Sequence, residues 1–141
     1  MILDAVNALL GRIHLASDLC RLDGAETDLL REAVGYARAL APVRERATPY
    51  LPLGYAKHGD PAVATGLLTR EKLFLAVWNL EDGERTVTVP LGGVRPAAVT
   101  VGYPKAGGEA VGFSLDGGAL TVRFPHGPMA RLFEITLGSG V

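Results

Sequence analysis

His14 and Asp18 stand four residues apart, with Ser17 between them. Imidazole, hydroxyl and carboxylate are the groups that general acid–base and nucleophilic chemistry uses. The run before them alternates, Arg12 and His14 polar against Ile13 and Leu15 apolar, as a short strand does, and Ser17 and Asp18 then open a polar turn. If that strand belonged to an α/β barrel, its end would face the active site, making His14, Ser17 and Asp18 substrate-proximal candidates. The plainer alternative is a polar strand residue followed by a turn or cap aspartate, and the spacing alone leaves both open.

Other chemistry-bearing residues are more scattered. His58, Asp60 and His126 suggest a metal set only until their surroundings are read: Gly59, Pro61, Gly127 and Pro128 place them in turns, and no cysteine or close histidine pair completes a ligand spacing. No metal and no cofactor is expected. Tyr50, Tyr55 and Trp78 offer aromatic faces for a sugar ring, but Trp78 lies in the most apolar run and reads as core. The glycine pairs follow no strand–GxGxxG–helix pattern and precede no P-loop lysine, so they read as hairpin turns. Arg131 and Glu134 read as a pair with each other or as solvated charges. Cys20, the only cysteine, reads as a small apolar core residue.

The elements that must position these groups change character along the chain. Val6, Leu9 and Leu10 share a helical face that Gly11 ends. From Ala25 to Leu40 a stripe of Leu29, Leu30, Ala33, Val34, Ala37 and Leu40 predicts a helix, started at Asp23 or Gly24 and stopped after Ala41 by Pro42. The prolines and Gly54 between Pro42 and Pro61 exclude a helix interior or a long central strand, so the chain divides there, into residues 1–45 and 46–141. Beyond it, period-two runs predict seven strands: 63–68, 72–80, 85–91, 97–103, 110–115, 119–124 and 130–137. The run 72–80 is apolar on both faces, which makes it central and puts Trp78 in the middle of a sandwich.

Composition narrows the function classes. With 14 basic and 15 acidic residues, a net charge of −1 and no basic stripe, nucleic acid is not an expected partner. No apolar run approaches the ~20 residues of a membrane span. Asp4 and Asn7 interrupt the apolar start, so it reads as structure rather than a leader, and a lone cysteine gives no sign of an oxidising compartment. A cytoplasmic location is the expectation.

The run Val6-Asn7-Ala8-Leu9-Leu10-Gly11-Arg12-Ile13-His14-Leu15-Ala16-Ser17 resembles the late barrel segment of bacterial α-galactosidases of glycoside hydrolase family 36, the melibiase type. The helix end Tyr36-Ala37-Arg38, the link Pro49-Tyr50-Leu51-Pro52-Leu53-Gly54, the strand Leu75-Ala76-Val77-Trp78-Asn79 and the last strand Ala130-Arg131-Leu132-Phe133-Glu134-Ile135 follow in the family's order. The resemblance implies a mainly β chain: a C-terminal antiparallel β-sandwich preceded by the last strand and helices of a truncated (β/α)8 barrel. It also implies that both catalytic aspartates lie on earlier barrel strands, so that neither Asp18 nor Asp60 inherits their roles. An α-galactoside is then a ligand only of the complete parent enzyme, and a homo-oligomer is compatible with the bracing role of the sandwich. The competing readings are an independent carbohydrate-binding module and a purely structural one.

Overall fold

The computed structural model describes residues 1–16 and 18–138. Two helices open the chain, α1 (Ile2–Leu9) and α2 (Gly24–Arg44), with a short 3-10 turn at Leu19–Arg21 between them. Asp23 starts α2 through a reciprocal capping box: its carboxylate accepts from the Glu26 amide at 2.8 Å, and Glu26 Oε2 accepts from the Asp23 amide at 3.2 Å.

Pro42 does not stop this helix, which runs on to Arg44. A proline there forfeits one backbone bond near the end of the helix, where fewer bonds remain to lose. Leu40 and Val43, buried against Phe74, hold the last turn in place, and Arg44 Nη2 donates to the Ala37 carbonyl at 3.2 Å.

Eight strands follow: β1 (Thr48–Tyr50), β2 (Ala62–Leu68), β3 (Lys72–Asn79), β4 (Arg85–Pro90), β5 (Pro96–Tyr103), β6 (Gly112–Asp116), β7 (Ala119–Phe124) and β8 (Met129–Leu137). They form a five-stranded sheet, β1-β2-β3-β8-β5, and a three-stranded sheet, β4-β7-β6, all pairings antiparallel. The seven expected strands are present. The addition is β1, a three-residue edge strand whose Pro49 has no neighbour on its outer side to miss its N–H. Asp116 pairs with Ala119 across Gly117 and Gly118, both at positive φ (55° and 77°), the backbone that a two-residue hairpin turn requires.

One core lies between the sheets, where Leu73, Leu75, Val77, Phe133 and Ile135 meet Val87, Val89, Leu120, Val122 and Phe124. Each such side chain, fully buried, contributes about 1.5–3 kcal/mol. The alternate residues of β3 and β8 turn the other way. Ala76, Trp78, Ala130 and Leu132 pack against Ala5, Val6 and Leu9 of α1 and Ala33 of α2. The architecture is therefore three-layered, with helices on the outer face of the larger sheet.

That layer corrects the expected place of Trp78. Its strand is central, third of five, but the ring faces the helices rather than the second sheet, and its indole Nε1 donates to Asn7 Oδ1 at 2.7 Å. A strand apolar on both faces says that both sides are covered, not by what.

The strand expected at Ile13–Leu15 is absent: among the described residues between α1 and α2 there is no strand, only irregular chain and the 3-10 turn. Period two without a ladder partner does not make a strand, because the backbone groups have nothing to pair with. Ile13 packs instead against the α1–α2 cluster while Leu15 stays half exposed. The described residues thus show a mainly β sandwich with two helices, and no (β/α)8 barrel strand. Cys20, expected in the core, is exposed in the 3-10 turn.

Candidate functional site

The segment between the helices carries the candidate residues. His14 is exposed and lines a cleft of about 300 Å³ between α1, α2, residues 13–16 and the turn at Leu19 and Leu22. The walls are mostly apolar, Ala5, Ala8, Ile13, Leu19, Leu30 and Ala33, with Asp4 and Glu26 as carboxylates. Glu26 is already used in the capping box.

Asp18 is not in that lining. Its Oδ1 accepts from the Cys20 amide at 3.2 Å and its Oδ2 takes Arg21 Nε at 3.1 Å, which makes it the cap of the 3-10 turn. Among the hydrogen bonds of the described residues none joins His14 to Asp18, and Ser17 lies outside the described residues. The three candidates are therefore neighbours in sequence that share no described bond. The cap geometry of Asp18 is the ordinary use of an aspartate at a turn.

The other candidates resolve into structural roles. Asp60 accepts from the Lys57 amide at 2.7 Å, His58 is exposed, and the His126 ring bonds to Glu109. Among the described residues no group of three or more His, Cys, Asp or Glu is placed to hold a metal ion. Asn79, fully buried, donates to the carbonyls of Gly83 and His126 and accepts from Arg85 Nε, so the His126 turn is tied down by a side-chain amide. Gly127 permits that approach: a Cβ there would stand 2.0 Å from the Glu81 carbonyl oxygen. Tyr50 donates to the Gly92 carbonyl at 2.9 Å, while Tyr55 is 84% exposed.

Arg131 and Glu134 do not pair. Three positions apart in a strand they point to opposite faces. Arg131, buried, donates to the Ala130 carbonyl at 2.7 Å and to the Glu109 carbonyl; burial pushes its guanidinium pKa down, against the pull of Glu109 and Tyr103.

Glu134 instead receives Tyr36 Oη at 2.8 Å and Lys72 Nζ at 3.0 Å. Burial alone would raise its carboxyl, but the Tyr36 and Lys72 hydrogen bonds and the charges of Lys72 and Lys105 bring it below the ordinary range. Burial, then the bond to Glu134 and its charge, pushes the Tyr36 hydroxyl well up. Tyr103 Oη donates to the Leu29 carbonyl at 3.0 Å, and burial, with Glu32 adding to it and Arg131 opposing, raises this hydroxyl to about 12. These groups clamp α2 onto β5 and β8. Reading the last strand as one chemical unit missed them, because their partners lie on another element.

A retaining glycosidase needs two carboxyl groups about 5 Å apart across a sugar bond. Asp4 and Glu26 line the first cleft and Glu109 another, but Glu26 serves a helix cap, Asp4 Oδ2 sits 3.1 Å from the Met1 amine, and Glu109 bonds to His126. What the helical face offers is shape and mostly apolar surface, with its carboxylates held by a cap and a chain-end amine.

No protein-family model matches the chain, and no curated protein matches it in sequence. A solved structure does share its architecture: an α-amylase from Anoxybacillus, described as giving insight into a new glycosyl hydrolase subclass, superposes with a TM-score of 0.59 over 86% of this chain at 16% identity. The likeness is one of fold. This chain spans 24% of that α-amylase, and at such identity nothing about substrate or residues transfers. The resemblance to family 36 rests on its sequence landmarks alone. No described helix is long and apolar enough to cross a membrane.

Proposed function

We propose that this chain is the C-terminal part of a retaining α-galactosidase of the family 36 type. In this reading residues 1–45 are the end of its catalytic barrel and residues 46–141 the sandwich that braces it. The observation that carries the reading is the position of the first landmark. The run Val6–Ala16 covers the second half of α1 and the irregular segment after it, the part of the described chain where apolar clefts stand open on both sides. A sandwich complete in itself needs no such segment. That the fold recurs as about a quarter of a glycoside hydrolase structure supports the assignment to a larger carbohydrate-active enzyme.

In the parent, an aspartate nucleophile and an aspartic acid–base supplied by earlier barrel strands cleave the terminal α-galactoside through a glycosyl-enzyme intermediate. This chain contributes neither. Its helices supply a surface for the barrel, His14 and Asp18 sit at the edge nearest the substrate, and the sandwich braces the barrel through the outer face of its larger sheet. The sugar is met only in the complete enzyme, in the cytoplasm.

The test is turnover. The purified chain should give no more release from an aryl α-galactoside than buffer, because a retaining mechanism without nucleophile and acid loses covalent catalysis and proton donation together. Release that copurifies with the chain overturns the reading. So does an in-frame upstream sequence that holds no barrel with two candidate aspartates.

The exposed Tyr55 favours a second reading, a module that stacks a sugar on this ring. Saturable binding of galactose by the chain, lost in Tyr55→Ala, would select it.

A further inference from the structure

A second groove, of about 370 Å³, runs between α2 and the irregular segment after α1. Its floor is apolar. Val34, Ala37 and Ala41 follow one another at helical spacing along α2, and Ile13 and Leu15 form the opposite bank. Its polar groups are three arginines, Arg12, Arg38 and Arg44, and no acidic residue lines it. Arg44 spends its guanidinium on the carbonyls of Leu9 and Ala37. Among the described residues no carboxylate forms an ion pair with any of the three.

That concentration of charge is local. The chain as a whole is balanced at a net charge of −1, and three of its other arginines sit beside carboxylates, Arg21 with Asp18, Arg31 with Asp28 and Arg85 with Glu81. In this groove the countercharge is missing where apolar surface also stands uncovered. The two deficits are complementary to one kind of partner. Ala37 and Ala41 are small enough to admit a close helix, and a row of apolar residues three and four apart is the ridge against which a second helix packs.

We infer that this groove receives an amphipathic helix whose apolar stripe is flanked by carboxylates, which pair with Arg12 and Arg38. The inference rests on the reading that the helical layer faces a larger body, and it names the chemistry of the element of that body that lies on α2. A phosphate-bearing ligand fits less well, since five apolar side chains floor and bank the groove.

The experiment is fluorescence anisotropy of the purified chain with two dye-labelled amphipathic peptides of equal length, one pairing leucine with glutamate and one pairing leucine with lysine. The glutamate peptide should bind saturably, about tenfold tighter than the lysine peptide, and weaken as salt screens the pairs. Arg12→Gln combined with Arg38→Gln should remove about that same factor, whereas Arg12→Lys with Arg38→Lys should keep most of it. Both arginines are exposed, so the variants should fold, and circular dichroism checks this. Val34→Asp should abolish binding.

Equal affinity for the two peptides, no binding at all, or glutamate-peptide binding indifferent to the arginine variants overturns the inference. Its failure is separable from that of the function. Turnover by the isolated chain would sink the α-galactosidase reading with peptide binding intact, and absent peptide binding leaves the turnover test as it was.

Discussion

The sandwich and the helical layer are both built from apolar stripes, yet only the sandwich closes. Between the sheets, Leu73, Leu75, Phe133 and Ile135 are fully buried against Val89, Leu120, Val122 and Phe124. The backbone of that region is committed to antiparallel ladders. Across the larger sheet, α1 and α2 bury only one side of themselves. Met1, Leu15 and Leu19 remain exposed, and clefts open on either side of the chain that links the helices. One region has its two apolar faces turned on each other, with Leu80 and Phe113 left at its surface. The other leaves apolar side chains and clefts open to solvent, the kind of surface that marks an interaction site.

The largest effects should come from the two cores. Phe124→Ala removes a ring from the sandwich interior, and Trp78→Ala removes the ring that joins sheet to helices together with its bond to Asn7. Each should cost about 3 to 5 kcal/mol, a large part of what holds a domain folded. Urea denaturation checks both, and a Trp78→Ala midpoint equal to the wild type would mean that the helical layer adds no stability. Quenching of Trp78 fluorescence by galactosides would place the ring on a sugar surface instead.

A smaller effect separates the layers by pH. The hydroxyls of Tyr36 and Tyr103 titrate above their unfolded value of ~10. Their contribution is therefore fully present below pH ~10 and is lost as pH rises through the folded values, about 12 for Tyr103. Stability to urea should fall over that window. Tyr103→Phe should cost about 1 kcal/mol at neutral pH through the lost bond to Leu29 and should flatten the alkaline fall. A variant as alkali-sensitive as the wild type would show that the clamp between α2 and β5 is not what yields.

Smaller still, Asp23→Ala removes one half of the capping box and should cost about 1 kcal/mol, read as lost helical circular dichroism with the strands unchanged. Leu19→Ser, at an exposed position, should change the urea midpoint by no more than about 0.5 kcal/mol, yet reduce self-association in light scattering.

The same contrast explains what could be read from the sequence. The seven long strands were legible because period two and glycine turns are local signals. The three-residue strand at Thr48–Tyr50 was hidden by Pro49, which an edge tolerates. The side of Trp78 was not legible, since alternation within β3 shows two covered faces without naming the cover. The strand reading of Ile13–Leu15 failed because a ladder needs a partner that periodicity does not supply.

At the candidate site, His14 and Asp18 were found by type and spacing, and the structure gives Asp18 a cap's work and His14 a place on a cleft wall. Glu134 was noticed beside Arg131, but its partners Tyr36 and Lys72 lie on α2 and β3. The grouping of Arg12 with Arg38 and Arg44 exists only once α2 is folded back along the segment after α1, so no sequence window contains it.

The difference between a closed sandwich and an open helical layer can be measured directly by native-state hydrogen exchange. Amides of β3, β7 and β8 should exchange only through global unfolding, whereas those of residues 1–22 should open by a separate, cheaper route, with protection at least about a hundredfold lower. Equal protection in the two regions would contradict this, because a helical layer as stable as the sandwich is already complete and needs no larger body to cover it.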